Sequence, residues 1–150
     1  SERCIVGFNS GPPFVPSLYN NNVQIFQSRD TAVILTEMIH DARIVKLGDN
    51  PALDDNIRLW SGDSRGHWEG DTLVVQSEGF NEKFWLTGGL PHTSLMKVTE
   101  RLTRTDFNNM AIEVTIDDPG AYTRPWTMSW KMVWKEGEDP PEYYCQDNRL

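Results

Sequence analysis

The chain has almost no cysteine, no surplus of basic charge and no long apolar run, and each shortage excludes something. Fourteen Lys and Arg stand against 22 Asp and Glu, a net charge of −8. No basic stripe exists to neutralise the phosphates of a nucleic acid or to settle on an anionic membrane surface. No apolar run approaches the ~20 residues of a spanning helix, so no membrane insertion is expected. The three histidines, His40, His67 and His92, lie far apart in sequence, with no HxH or HExxH spacing to suggest a metal centre. There is no GxSxG elbow for a Ser–His–Asp triad and no glycine-rich phosphate loop. No cofactor is therefore expected.

The two cysteines, Cys4 and Cys145, sit near opposite ends without a CxxC context. An antiparallel barrel or sandwich often brings its termini together, so a Cys4–Cys145 disulfide is the favoured reading. Two separate buried thiols are the alternative. A bridge closing so long a loop would restrict the unfolded chain by roughly 4–5 kcal/mol in the entropic model, and it would imply an oxidising compartment. The start at Ser1, without Met, is consistent with a removed signal peptide or a trimmed chain.

A helical period is also missing. No segment of ten or more residues repeats its apolar positions every 3.6 residues, although a single helical turn fits residues 50–56 or 80–90. The 150 residues suffice for one domain with a real core, enriched by six Trp, six Phe and four Tyr. The pattern predicts strands at Val23–Gln27, along Ala32–Val45, at Ile57–Trp60, His67–Glu69 and Thr72–Glu78. Further strands are predicted at Ser94–Asp106, Met110–Asp117 and Trp126–Lys135, with a closing piece at Tyr143–Cys145. Residues 1–22, with GPPFVP and the YNNN run, read as irregular. The fold class is all-β: a small antiparallel barrel (calycin-like or cyclase-like) or a sandwich of about seven or eight strands.

Alternation assigns faces. Trp126, Met128, Trp130, Met132 and Trp134 point one way, and Thr127, Ser129 and Lys131 the other. Met110, Ile112, Val114 and Ile116 form a second apolar set. Met96, Val98 and Leu102 form a third, and Glu100 belongs to it, which places a carboxylate on the core side of a sheet. Along Ala32–Val45 the more apolar face carries Ile34, Thr36, Met38, His40, Ala42 and Ile44, and it is the favoured inner face. The opposite face would turn Glu37, Asp41 and Arg43 inward, and a bulge would allow a switch midway.

These placements define the candidate residues. The segment Trp60–Asp71 packs three acids, one Arg, one His and two Trp into twelve positions. Its glycines favour turns: Gly62 and Gly66 bracketing Asp63–Arg65, and a hairpin at Glu69–Gly70. Arg65 is expected to pair with Asp63 or Glu69, and His67 and Glu69 stay as rim candidates. An inward Glu without a partner has a raised pKa suited to acid–base work. His40 and Glu100 are therefore the catalytic candidates. The competing expectation is that Glu100 is held in a structural ion pair by Arg43, Arg104 or Arg124, because buried charges are usually paired. Tyr19, Asn21, Arg43, Arg104, Trp126 and Trp130 are the candidate substrate-binding residues. The partner they suggest is a small, partly apolar molecule held inside the barrel. The reaction would be a cofactor-free lyase, isomerase or cyclase step. The alternative is a lipocalin-like carrier without chemistry. A third reading is a carbohydrate-contacting module using Trp68 and Trp85 on loops.

Together the segments YNNNVQIFQ, ILTEMIHDARIV, GDSRGHWEGDTLVV, VTERLTR and DDPGAYTRPWT resemble a widespread family of hypothetical secreted bacterial proteins. The likeness runs from residue 2 to about residue 146. It implies export to the periplasm or the medium, with a signal peptide upstream and, in many members, further N-terminal sequence. It implies no particular activity.

Overall fold

The computed structural model describes residues 5–7 and 9–144. Eight strands form one sheet whose spatial order is the chain order: β1 Val23–Gln27, β2 Thr31–Thr36, β3 Ala42–Leu47, β4 Asp63–Glu69, β5 Thr72–Glu78, β6 Lys97–Arg104, β7 Asn109–Asp117 and β8 Trp126–Val133. The sheet curls into a half-barrel. Among the described residues no β1–β8 ladder closes it. The fold is therefore all-β and of the barrel type rather than a two-sheet sandwich.

Six of the seven ladders are antiparallel, and β3–β4 is parallel. A parallel neighbour needs a crossover, and residues 48–62 provide it. Ile57–Trp60 lies in that crossover and makes only a single bridge, Leu59 to Phe80, rather than a strand. The Cys4–Cys145 pairing lies outside the described residues, as does Cys145 of the expected closing piece. Tyr143 and Tyr144 are irregular.

Two expectations from the pattern are corrected. The run Ala32–Val45 is a tight hairpin of two strands. A 3₁₀ turn at Met38–His40, with Ile39 and His40 at φ of 55° and 52°, reverses the chain. Faces change there. Ala32, Ile34 and Thr36 are buried on β2, whereas Arg43 and Val45 are buried on β3 and Ile44 is exposed. The favoured inner face holds for the first half only, and Arg43 belongs to the inside. The second correction concerns Asp63–Arg65, which form the start of β4 rather than a turn. Ser64 pairs with Ser77 across the ladder, and their hydroxyls meet at 2.7 Å. The Glu69–Gly70 hairpin is where the pattern put it, with Gly70 at φ +58° joining Glu69 to Thr72.

The concave face buries Val45, Val75, Val98, Ile112, Val114 and Ile116, and alternation on β6, β7 and β8 follows the predicted parity as far as Met132, whereas Trp134 lies beyond the end of β8 and is exposed. Residues 9–14 are irregular in backbone and still pack as core. Pro12, Pro13 and Phe14 are buried, with the Phe14 ring 6.5 Å from that of Trp130. This segment forms a strap across the open side of the sheet. At Gly7 a Cβ atom would stand 2.3 Å from the Met38 side chain, so only glycine permits that approach. Asn9 holds the strap by donating from Nδ2 to Ser17 Oγ at 3.0 Å and to the Asn20 carbonyl at 3.2 Å.

Candidate functional site

Glu100 is buried on β6, as alternation requires, and its partner is Arg43 on β3. One guanidinium nitrogen donates to Oε1 at 3.0 Å and the other donates to Oε2. The pair spans the interior of the curl, and both residues are less than a tenth exposed. A bidentate fork satisfies both carboxylate oxygens, which is the ion-pair alternative expected for Glu100. His40 stands elsewhere. It is exposed at the β2–β3 turn, and its Nε2 accepts the Tyr143 backbone N–H at 2.8 Å. The structure does not bring His40 and Glu100 together.

The other sequence candidates divide by location. Arg104 is exposed, donates to the Asp106 and Phe107 carbonyls, and lies over the Phe107 ring at 5.4 Å. Asn21 is exposed and bonds both ways with the Ser17 backbone at 2.7 Å, and the Tyr19 carbonyl accepts from Ser17 Oγ. These contacts lock the loop of residues 17–21. His67 and Arg101 both bond Glu69, at 3.1 and 2.7 Å, on the exposed side of the sheet. Arg101, then His67, hold the Glu69 carboxyl below its usual range. Arg65 pairs with Glu78 and lies 3.4 Å from Asp63, rather than with Glu69. Among the described residues no three His, Cys, Asp or Glu side chains group as metal ligands would.

Asp41 is the perturbed acid of this region. Burial pushes its carboxyl above the ordinary value of 3.8, while a hydrogen bond from Ser61, the Arg43 charge and the Ala42 N–H partly offset the rise. Between 3.8 and the raised value the folded protein holds a proton that the unfolded chain has released. Stability therefore falls as pH rises through that window. Asp41→Asn is expected to raise the melting temperature at neutral pH, and the gain should vanish below the unfolded aspartate value. Thermal unfolding of both proteins across that pH range checks the sign.

Two spaces adjoin the strap among the described residues. The first is the interior itself, lined by Phe14, Arg43, Glu100, Trp130 and Met132 among others, with a volume of about 20 Å³. Phe14 and the ion pair occupy the centre of the curl, and among the described residues the interior leaves room for about one water rather than the expected ligand chamber. The Trp130 Nε1–H there is buried without a hydrogen-bond partner.

The second space is a groove of about 130 Å³ between strap, loop and edge strand. Pro12 and Pro13 wall it from the strap, Trp85 and Leu90 from the loop, and Trp126 and Met128 from β8. Among the described residues no ionisable one lines it. An aromatic cluster beneath positions the loop. Phe84 packs 4.3 Å from His92 and 6.4 Å from Phe80, which turns the adjacent Trp85 outward, 73% exposed. Leu86 donates to the Leu90 carbonyl at 2.9 Å, and Gly88 and Gly89 take φ of 79° and 77° to close that small ring of chain. Asp118 pins the following segment, accepting from both the backbone and the hydroxyl of Thr93 at 2.6 Å.

The Trp/Met face of β8 thus serves both spaces, with Trp130 and Met132 on the interior and Trp126 and Met128 on the groove. Trp126 was legible as an inward residue of its strand. Pro12, Pro13, Trp85 and Leu90 were not legible as one site, because no periodicity joins a strap to a loop some seventy residues away. Comparison of the chain with family models, curated proteins and solved structures finds no match.

Proposed function

We propose that the protein binds a small, partly apolar molecule in the groove beneath the strap, as a carrier that does not transform it. The observation that carries this reading is the contrast between the two spaces: about 130 Å³ of uncharged groove against about 20 Å³ of filled interior. Binding sites for small molecules are concave, mostly apolar and few per protein. An open, curled sheet capped by a strap is compatible with such a role. A lyase, isomerase or cyclase step using His40 and Glu100 has less support, since one accepts from the Tyr143 backbone and the other is held by Arg43. We place the carrier in the periplasm or outside the cell, on the likeness of its segments to exported bacterial proteins.

The test is a thermal-shift screen of small apolar compounds on the wild-type chain and on Leu90→Trp, which fills the groove from its exposed rim. A true ligand at a hundred times its Kd should stabilise the wild type by about 2.7 kcal/mol, with the shift erased in the variant and no product by mass spectrometry. Shifts that survive Leu90→Trp, or an absence of hits, would overturn groove binding. Product formation would overturn the carrier.

A further inference from the structure

We infer that the ligand class of the groove is a flat, uncharged single ring. This rests on the binding reading above and adds size, charge and shape to it. The volume of about 130 Å³ is close to the ~150 Å³ of an apolar cavity known to hold benzene. A long chain or a compound of three or more fused rings exceeds it and would extend out of the groove into water.

Charge narrows the class further. With no Lys, Arg, His, Asp or Glu among the described residues of the wall, an ionised ligand would be desolvated without a counter-charge, at a cost that usually prevents binding. The net charge of −8 adds a repulsive field against anions.

Shape favours a ring. Pro12 and Pro13 are rigid rings on one wall, and Phe84, Trp85 and Trp126 supply aromatic surface on the others. Such surfaces gain most from a planar partner in offset or edge contact. Trp85 stands exposed at the mouth, held there by the closed Leu86–Leu90 turn. Its indole covers an entering ring without reordering the loop, which lowers the entropic cost of binding.

Isothermal titration calorimetry with four probes tests this: benzyl alcohol, benzoate, benzylamine and 1-decanol, each on the wild type and on Leu90→Trp. The expected result is saturable binding of benzyl alcohol, with benzoate and benzylamine at least about tenfold weaker, as burial of an unpaired charge requires. Leu90→Trp, checked for an unchanged circular dichroism spectrum, should weaken benzyl alcohol by at least about tenfold through simple occlusion. Equal or tighter binding of benzoate or benzylamine would overturn the uncharged class while leaving groove binding intact. Binding of decanol alone would overturn the ring. If no probe binds, both the class and the binding reading fall.

Discussion

Glu100→Leu is expected to destabilise the fold by about 3–5 kcal/mol, the usual result of leaving one member of a buried pair unpaired. The abandoned charge is Arg43, whose guanidinium is buried in the curl and has Glu100 as its partner. Arg43→Met should cost a similar amount, because it strands the carboxylate. The double variant Arg43→Met/Glu100→Leu should recover most of the loss. Well-packed apolar replacements of buried pairs are often neutral or stabilising, since desolvation offsets much of the attraction. Urea unfolding followed by tryptophan fluorescence gives all corners of this cycle. Single variants that cost less than about 1 kcal/mol, the range of exposed pairs, would mean that the pair is solvated. An additive double variant would mean that the two side chains do not interact.

Phe14→Ala should cost about 3–5 kcal/mol, the range for truncating a buried aromatic side chain. Nothing in the sequence around it signals such weight. Phe14 sits in GPPFVP, a segment without period, yet it is buried against Trp130 and closes the interior of the sheet. The same change should weaken ligand binding, because Pro12 and Pro13, which wall the groove, are the residues just before it. Loss of binding and loss of stability in one variant would tie the strap to both roles. A stability cost below about 1 kcal/mol would be the behaviour of a surface loop and would contradict a core role for the strap.

The sheet was legible wherever one face is buried and the other solvated. Period-two alternation placed β6, β7 and β8 and turned Glu100 inward, as found. Alternation carries no signal for a reversal inside an apolar run. Thus Met38–His40 was hidden, since Ile39 and His40 adopt left-handed backbone without a Gly or Asn to mark it. Glycine misled at Gly66, where tight packing rather than a turn requires it. A Cβ there would stand 2.9 Å from Val45 and 3.1 Å from the Val74 carbonyl.

The candidate site was legible in part for the same reason. Inward residues of one strand can be read locally, which found Trp126 and Trp130. Partnerships across the sheet cannot, so Arg43 was only one of several possible partners for Glu100. A groove assembled from strap, loop and edge strand is a product of the chain path alone. The uncharged character of its wall appears only once those three pieces meet.

Two methionines on one strand separate the two possible sites: Met128 lines the groove and Met132 lines the interior. Labelling the methionine methyl groups with carbon-13 and titrating benzyl alcohol therefore shows which space takes the ligand. Binding in the groove gives a saturable shift of the Met128 methyl resonance with Met132 unmoved. A shift at Met132 with Met128 unmoved would place the ligand inside the sheet and contradict it.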